Sequence, residues 1–428
     1  MFYNIKRVLF YSCILLHFNA YTAELKIITP ESFLLENPSS ERVKIVDEIT
    51  HQFNGKSVTK KELDFLWNNI ETREIYHLSR FQIIDQKLYA ATYNITNLYF
   101  LKMLDYLNNL FKNYKIQNID FILHTMDEVN IYSEIDKKNL SIPIFMMSKD
   151  LNSPYEKNKL LLPDAHILKN NWAQLLDTIN KANLENPWDK KLNKIFWRGQ
   201  STGSTFIFPY NITNIDKLAR LKLVMLSKLY PDLIDAKITK YAEFSDDEDG
   251  KNLQIILDIL FGENNSPVKE KDHLIYKYLI AIDGTTCPWV RVPWIMASNS
   301  VLLKQETDKV QWFYSALQPY LNYVPINEDL TDIFEKVDWI KNNDKEVKQI
   351  SLNAQHFIKN ELMPEHVDKH MVIILNEYHK IQKDKNIVAT LPPYEQYSSS
   401  LFFAKELFYL FQIRIKALIR GRHVNCVS

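Results

Sequence analysis

The sequence predicts an α/β protein of two domains, each a sheet covered by helices, and three observations lead there. Its 428 residues exceed one ordinary core and suit two. Helical stretches with apolar residues at helical spacing alternate with short apolar, strand-like runs along most of the chain. Finally, Asn186-Pro-Trp-Asp-Lys190 breaks a helical stretch, and a second series of the same kind begins after it.

In the first series a charged helical stretch over 60–79 precedes a polar strand over 81–93 and a helix over 97–114. A short apolar strand over 120–124 runs into a polar turn, a second over 143–147 ends at Ser148, and a helix spans 171–184. Helix then strand, repeated, predicts a parallel sheet. The second series offers a strand over 194–197, a helix over 216–229, a strand over 275–282, a helix beginning at 294–297 and a buried strand over 301–303. Helices over 332–342, 346–362 and 368–382 follow. The resulting limits are 24–185 for the first domain, 186–385 for the second and 386–428 for a tail. Within that tail, 401–422 reads as an aromatic-rich amphipathic helix ending in Arg414, Lys416, Arg420 and Arg422. Basic residues there suit the C-terminus of a docking helix, or contact with an anionic membrane surface.

The N-terminus reads as a signal peptide over 1–23: Lys6-Arg7, an apolar run over 8–18, then Asn19-Ala20-Tyr-Thr-Ala23. An uncleaved anchor is the alternative, although 11 apolar-leaning residues fall short of the roughly 20 that span a bilayer. This places the protein in the secretory lumen of the endoplasmic reticulum or Golgi, or at a membrane in a bacterial host. Acceptor sequons stand at Asn94, Asn139 and Asn211.

Lys plus Arg equals Asp plus Glu at 52 each, so nothing draws the whole chain to nucleic acid, and an anionic ligand needs a local cluster. Three cysteines, Cys13, Cys287 and Cys426, make no disulfide framework, and the eleven histidines show no zinc spacing. Asp246-Asp-Glu-Asp249 reads as a solvated loop rather than a metal site.

Glycine occurs seven times in all, and Gly199, Gly203 and Gly284 fall in two short segments after predicted strands. Lacking Cβ, such glycines allow a ligand's phosphate oxygens to come close to the backbone. In open α/β sheets the ligand lies beyond the carboxyl ends of the strands. The segments placed there are His124-Thr-Met-Asp127, Arg198-Gly-Gln-Ser-Thr202, Asp283-Gly-Thr-Thr286 and Lys304-Gln-Glu306. Together they supply hydroxyls, cations and carboxylates, a mixture suited to a sugar nucleotide, and Arg291 stands within reach of a diphosphate.

These segments resemble glycosyltransferase family 90, which includes animal protein O-glucosyltransferases, fungal capsule xylosyltransferases and bacterial lipopolysaccharide-modifying enzymes of the LpsA type. The resemblance rests on Lys277-Tyr-Leu-Ile-Ala-Ile-Asp-Gly284, Trp289-Val-Arg-Val-Pro-Trp294, Ser298-Asn-Ser-Val-Leu-Leu-Lys304 and the run from Trp312 to Pro325, with Phe196-Trp-Arg-Gly199 as a second hallmark. It spans roughly 120–380. It implies a GT-B fold with the acceptor domain first, the nucleotide-sugar domain second, and the site in the cleft between them. It also implies inverting transfer of a sugar, glucose or xylose, from a UDP donor to a hydroxyl of a protein, glycan or lipopolysaccharide, without a required metal or other cofactor. The general base would be Asp127, with Glu128 as the competing carboxylate. Arg291 and Arg220 would hold the diphosphate, with Thr286, Cys287, Pro288, Trp289 and Val290 as the adjoining loop. Arg198, Gly199, Gln200, Ser201, Thr202, Asp283, Gly284 and Glu306 complete the implied donor pocket, Gln200 standing where the family usually has serine. Around Asp127 the family's arginine, tyrosine and proline are missing. That departure leaves an alternative, an inactive relative that binds glycans or partners through the same cleft.

Overall fold

A computed structural model describes residues 25–69, 78–95, 97–125, 142–152, 158–203, 218–241 and 267–398, with short pieces between 251 and 259. The signal segment, Asp127 and Glu128, the acidic run at 246–249 and the amphipathic tail lie outside the described residues.

Two five-stranded sheets organise the chain. The first comprises β1 (Leu78–Ile84), β2 (Lys87–Thr92), β3 (Ile119–His124), β4 (Ile144–Met146) and β6 (Lys159–Leu161), in the order β2-β1-β3-β4-β6. Helices α1 (Pro30–Glu36), α2 (Ser40–His51), α3 (Lys60–Asn69), α4 (Leu98–Leu110) and α5 (Lys169–Glu185) accompany it. The second has β7 (Leu192–Gln200), β8 (Ile234–Lys240), β9 (Tyr276–Ala281), β10 (Val301–Gln305) and β12 (Val324–Ile326), in the order β12-β10-β9-β7-β8. Its helices are α6 (Ala219–Leu229), α7 (Arg291–Ala297), α8 (Ile333–Asn342), α9 (Asp344–Glu361) and α10 (Pro364–Ile381). A ribbon of β5 (Lys149–Asp150) and β11 (Lys309–Val310) joins the two halves. This is the α/β, two-lobed layout of GT-B type that the sequence implies, with the C-terminal helices in place.

The second sheet is parallel throughout. Its central strands β9 and β10 are buried on both faces, and the alternation is visible in which core each side chain enters. Tyr278, Ile280 and Ile282 pack under α8 and α9 with Val337, Ile340 and Ile350. Leu279 and Ala281 enter instead the larger core that continues into the first lobe.

The first sheet departs from the all-parallel expectation. The polar segment 81–93 is a hairpin rather than one strand: β1 pairs antiparallel with both β2 and β3, and only β3, β4 and β6 run parallel. Asp85 (φ 50°) and Gln86 (φ 60°) make the two-residue turn, positions where Asn-Gly is the usual signal. Contacts from a distant loop stand in for it: Asp85 N donates to Asn118 Oδ1 at 2.8 Å, and Gln86 Nε2 to the Ile116 carbonyl at 2.5 Å. Strand β8 is an addition to the elements expected from the sequence; Ile234, Ala236 and Ile238 alternate into the core as a half-buried strand should.

Although α10 follows the second series, it packs on the first sheet. Tyr378 lies against Phe121 and Phe145, and Gln382 Oε1 accepts from Asp120 N at 2.8 Å. Tyr397 then donates to the Ala90 carbonyl at 2.9 Å, so the C-terminal stretch straps the two lobes together.

Two buried histidines make this fold sensitive to acid. Burial pushes His273 down to about 3, and pushes His370 well below its ordinary value. Both are neutral in the fold, whereas the unfolded chain takes up their protons below about 6.5. Their contribution is therefore complete above pH 6.5 and is lost as pH falls from there toward the folded values, by up to about 1.4 kcal/mol per pH unit for each. The urea midpoint is expected to fall steadily from pH 7 to pH 5, and a flat midpoint over that interval contradicts it.

Candidate active site

Numbered by position in the chain, the strands of the second sheet run 8-7-9-10-12 across it, and the order reverses between β7 and β9. At such a switch point the crossovers depart to opposite faces and leave a crevice beyond the strand ends. The two glycine-bearing segments end β7 and β9, so both open into that crevice.

Arg220, on the second residue of α6, fastens the two strand ends together. Its Nε donates to the Asp283 carbonyl (3.0 Å), Nη1 to the Gln200 carbonyl (3.0 Å) and Thr202 Oγ1 (2.5 Å), and Nη2 to the Ile282 carbonyl (3.1 Å). Gly284 makes room for this. A Cβ there would lie 2.7 Å from Thr202 Oγ1 and 2.8 Å from Arg220 Nη2. At Gly199 a Cβ would lie 2.5 Å from Cζ2 of the buried Trp197 indole. Both glycines are thus needed for close approach, as their placement suggested, but the atoms that approach are the protein's own.

Beyond the strand ends lies a cleft of about 440 Å³. It gathers Arg198, Gly199, Gln200, Thr202, Arg220, Gly284, Thr286, Cys287, Pro288, Trp289 and Arg291 of the residues singled out from the sequence. Ser201 and Asp283 line a smaller pocket of about 70 Å³ that shares Thr202, Arg220 and Gly284 with the cleft wall. There Asp283 accepts from Thr307 Oγ1 at 2.5 Å. Burial raises its carboxyl, against the pull of Thr307, Lys304, Lys309 and Arg220. Val290 caps α7 from the loop. Glu306 stands apart from both pockets: it lines a depression with Asn327, Glu328, Asp329 and Thr331, and its carboxylate is held by Lys304 at 3.1 Å and Tyr323 at 3.2 Å.

The two arginines nearest the loop differ in commitment. Arg198 pairs with Asp235 at 2.7 Å, donates to the Trp197 and Asp235 carbonyls, and lies over the Phe196 ring. Arg291 donates from Nη2 to the Arg198 carbonyl at 2.7 Å and lies 5.9 Å from the Trp197 ring centroid. Burial pulls Arg291 down to about 10, partly offset by Glu270, which leaves it charged at neutral pH.

Between the arginine and the strand end runs the loop 285–290. Trp289 adopts φ 45°, a left-handed conformation that costs a non-glycine residue roughly 1–3 kcal/mol. Its carbonyl accepts from Gln311 Nε2 at 3.3 Å. Thr286 is tied to the other lobe by a 2.6 Å hydrogen bond to Ser148, both hydroxyls being buried. Burial pushes the Cys287 thiol well above its ordinary value, so it is no nucleophile.

The sequence did not point to the wall that faces this loop. Tyr99, at the start of α4, and His166, after β6, come from the first lobe, and His166 lies 6.3 Å from Trp289, ring to ring. The signal available in the sequence is Pro163-Asp-Ala-His166 after an apolar run, a strand end like 124–127, 198–202, 283–286 and 304–306.

Fold and site together define a two-lobed α/β protein with a polar, cation-bearing crevice at the switch point of a parallel sheet. The chain belongs to glycosyl transferase family 90, whose profile matches residues 44–391. It is similar to Protein O-glucosyltransferase 2 of Danio rerio, 32% identical over 198 residues, or 46% of this chain and 35% of that protein. Protein O-glucosyltransferase 3 of Mus musculus is 27% identical over 285 residues, 65% of this chain and 51% of the relative. Protein O-glucosyltransferase 1 of Homo sapiens is 22% identical over 276 residues, 62% and 63% respectively. The chain thus spans about a third to a half of the length of the first two relatives.

Proposed function

We propose that the chain is an inverting glycosyltransferase that moves a sugar, glucose or xylose, from a UDP donor to a hydroxyl of a protein or of a glycan. The observation that carries this reading is the convergence of the family-matching segments, from the ends of β7 and β9, on one cleft that the other lobe closes. The relatives, protein O-glucosyltransferases by name, favour glucose and a protein acceptor. Lipopolysaccharide remains the acceptor of a bacterial version, and a signal segment would deliver the protein to a secretory lumen. Among the described residues no helix is long and apolar enough to cross a membrane.

In this mechanism Asp127 takes the proton of the acceptor hydroxyl as that oxygen bonds to the anomeric carbon. The bond from that carbon to the UDP oxygen breaks, and the electron pair leaves with UDP. Arg291 and Arg220 would stabilise the charge that gathers on the diphosphate, a task that two guanidinium groups can perform without a metal ion. Arg220 serves this chiefly by holding the strand ends through its carbonyl contacts.

The test is UDP release from UDP-glucose, UDP-xylose and UDP-galactose with candidate acceptors. Asp127→Asn is expected to lower turnover by about 10²–10⁴-fold while UDP binding is kept. A wild-type chain that neither binds UDP nor releases it from any donor overturns the enzymatic reading, and transfer retained by Asp127→Asn overturns the choice of base.

A further inference from the structure

We infer that His166, oriented by Asp164, holds a hydroxyl of a sugar ring in the cleft, and that Tyr99 and Trp289 bound the place where the ring lies. The inference rests on the proposed transfer reaction and adds a subsite to it, in which Asp164, His166 and Tyr99 come from outside the donor pocket read from the sequence and Trp289 from its loop.

Asp164 follows β6 and is fully buried. Its Oδ1 accepts from His166 N at 2.8 Å and lies 3.1 Å from His166 Nδ1. A carboxylate oxygen only accepts, so this contact places the ring proton on Nδ1 and leaves Nε2 as an acceptor. His166 lines the cleft with its side chain about a third exposed (31%).

The other carboxylate oxygen, Asp164 Oδ2, is buried without a hydrogen-bond partner among the described residues. Leaving half a carboxylate unsatisfied is costly, and a turn aspartate could be exposed at no such cost. Fixing the orientation of a ligand-facing imidazole gives the arrangement a purpose.

The surroundings are those of a carbohydrate. Tyr99 meets the imidazole edge to face, with centroids 5.5 Å apart at 75°, and Trp289 lies 6.3 Å away at 35°. Aromatic faces cover the apolar C–H surface of a pyranose, while a fixed acceptor takes one of its hydroxyl protons. Trp289 sits two residues before Arg291, so the sugar would lie next to the proposed diphosphate clamp. Two sources share this chemistry, the sugar of the donor and a sugar on the acceptor.

Equilibrium binding of UDP and of UDP-glucose to wild type, His166→Phe and His166→Gln distinguishes them. Phe keeps the ring and removes the acceptor, whereas Gln restores an acceptor. If the donor sugar is held, Phe weakens UDP-glucose about tenfold relative to UDP, and Gln recovers most of the loss. If an acceptor sugar is held, both nucleotide affinities stay fixed and the KM for a glycan acceptor rises by a similar factor, again with recovery by Gln. Unchanged UDP affinity shows that each variant is folded, and His166→Ala replaces Phe if the larger ring unfolds the lobe. Nucleotide affinities and acceptor KM all within twofold of wild type overturn the subsite while leaving the transfer reading intact. Failure of the wild type to bind either nucleotide overturns the transfer reading, and the subsite with it.

Discussion

Arg291→Ala is expected to lower kcat/KM for sugar transfer by about 10²–10³-fold, the loss seen when a preorganised donor to a developing oxyanion is removed. Arg291 stands where the loop 285–290 enters α7, and its Nη2 is fixed on the Arg198 carbonyl at 2.7 Å. Arg198 is held by Asp235, and Arg220 gives four hydrogen bonds to the chain. Neither is as well placed to answer the charge on a leaving diphosphate. Burial pulls Arg291 down to about 10, and the same desolvation strengthens its attraction for an anion in the cleft. Arg291→Lys should recover little, because an ammonium lacks the planar fork and loses its charge more readily when desolvated. Steady-state kinetics and UDP binding check this together. UDP affinity and kcat/KM both within twofold of wild type in Arg291→Ala would remove the residue from the diphosphate site.

Glu361→Ala is expected to cost about 3–5 kcal/mol of stability, because it leaves a buried cation without its partner. Arg42 on α2 and Glu361 at the end of α9 are both fully buried, with Arg42 Nε 3.0 Å from Glu361 Oε2. Ser39 donates to the other carboxylate oxygen at 3.1 Å, and Arg42 Nη2 donates to the Asn360 carbonyl at 2.6 Å. Burial pushes the Glu361 carboxyl up, and Arg42 opposes that shift. His370 lies 3.9 Å away and is held neutral by burial and by the Arg42 charge; an imidazole carries no negative charge, so it offers no counter-ion in place of the carboxylate. The double variant Arg42→Met, Glu361→Leu is expected to recover most of the loss, since neither charge then stays buried alone. Thermal or urea unfolding of the three proteins measures this. A single variant that melts with the wild type would show that water reaches the cluster.

Much of the fold was legible because the parallel strands are short continuous apolar runs and the helices carry apolar residues at their own period. The first sheet was less legible. A hairpin that turns through Asp85-Gln86 lacks the usual turn residues, and what holds it in place comes from Ile116 and Asn118. Likewise, the return of α10 to the first lobe shows in no local pattern. It depends on Tyr378 fitting between Phe121 and Phe145, a contact over more than 200 residues of chain.

The candidate site divides in the same way. Sequence by itself determined the family and picked out the strand-end segments that line the cleft, and it offers Asp127, in a segment outside the described residues, as the proposed base. Those choices depend on residues close together in the chain, where turn chemistry and motif spacing hold the information. Only the tertiary structure decided which arginine is committed to Asp235, which side chains a Cβ at Gly199 or Gly284 would strike, and that His166 and Tyr99 line the cleft with Trp289 while Asp164 is buried beside His166. Each of these depends on a partner brought from a distant strand end by sheet order and lobe packing. Hydrogen bonding and desolvation act over a few ångströms of space, whatever the separation along the chain.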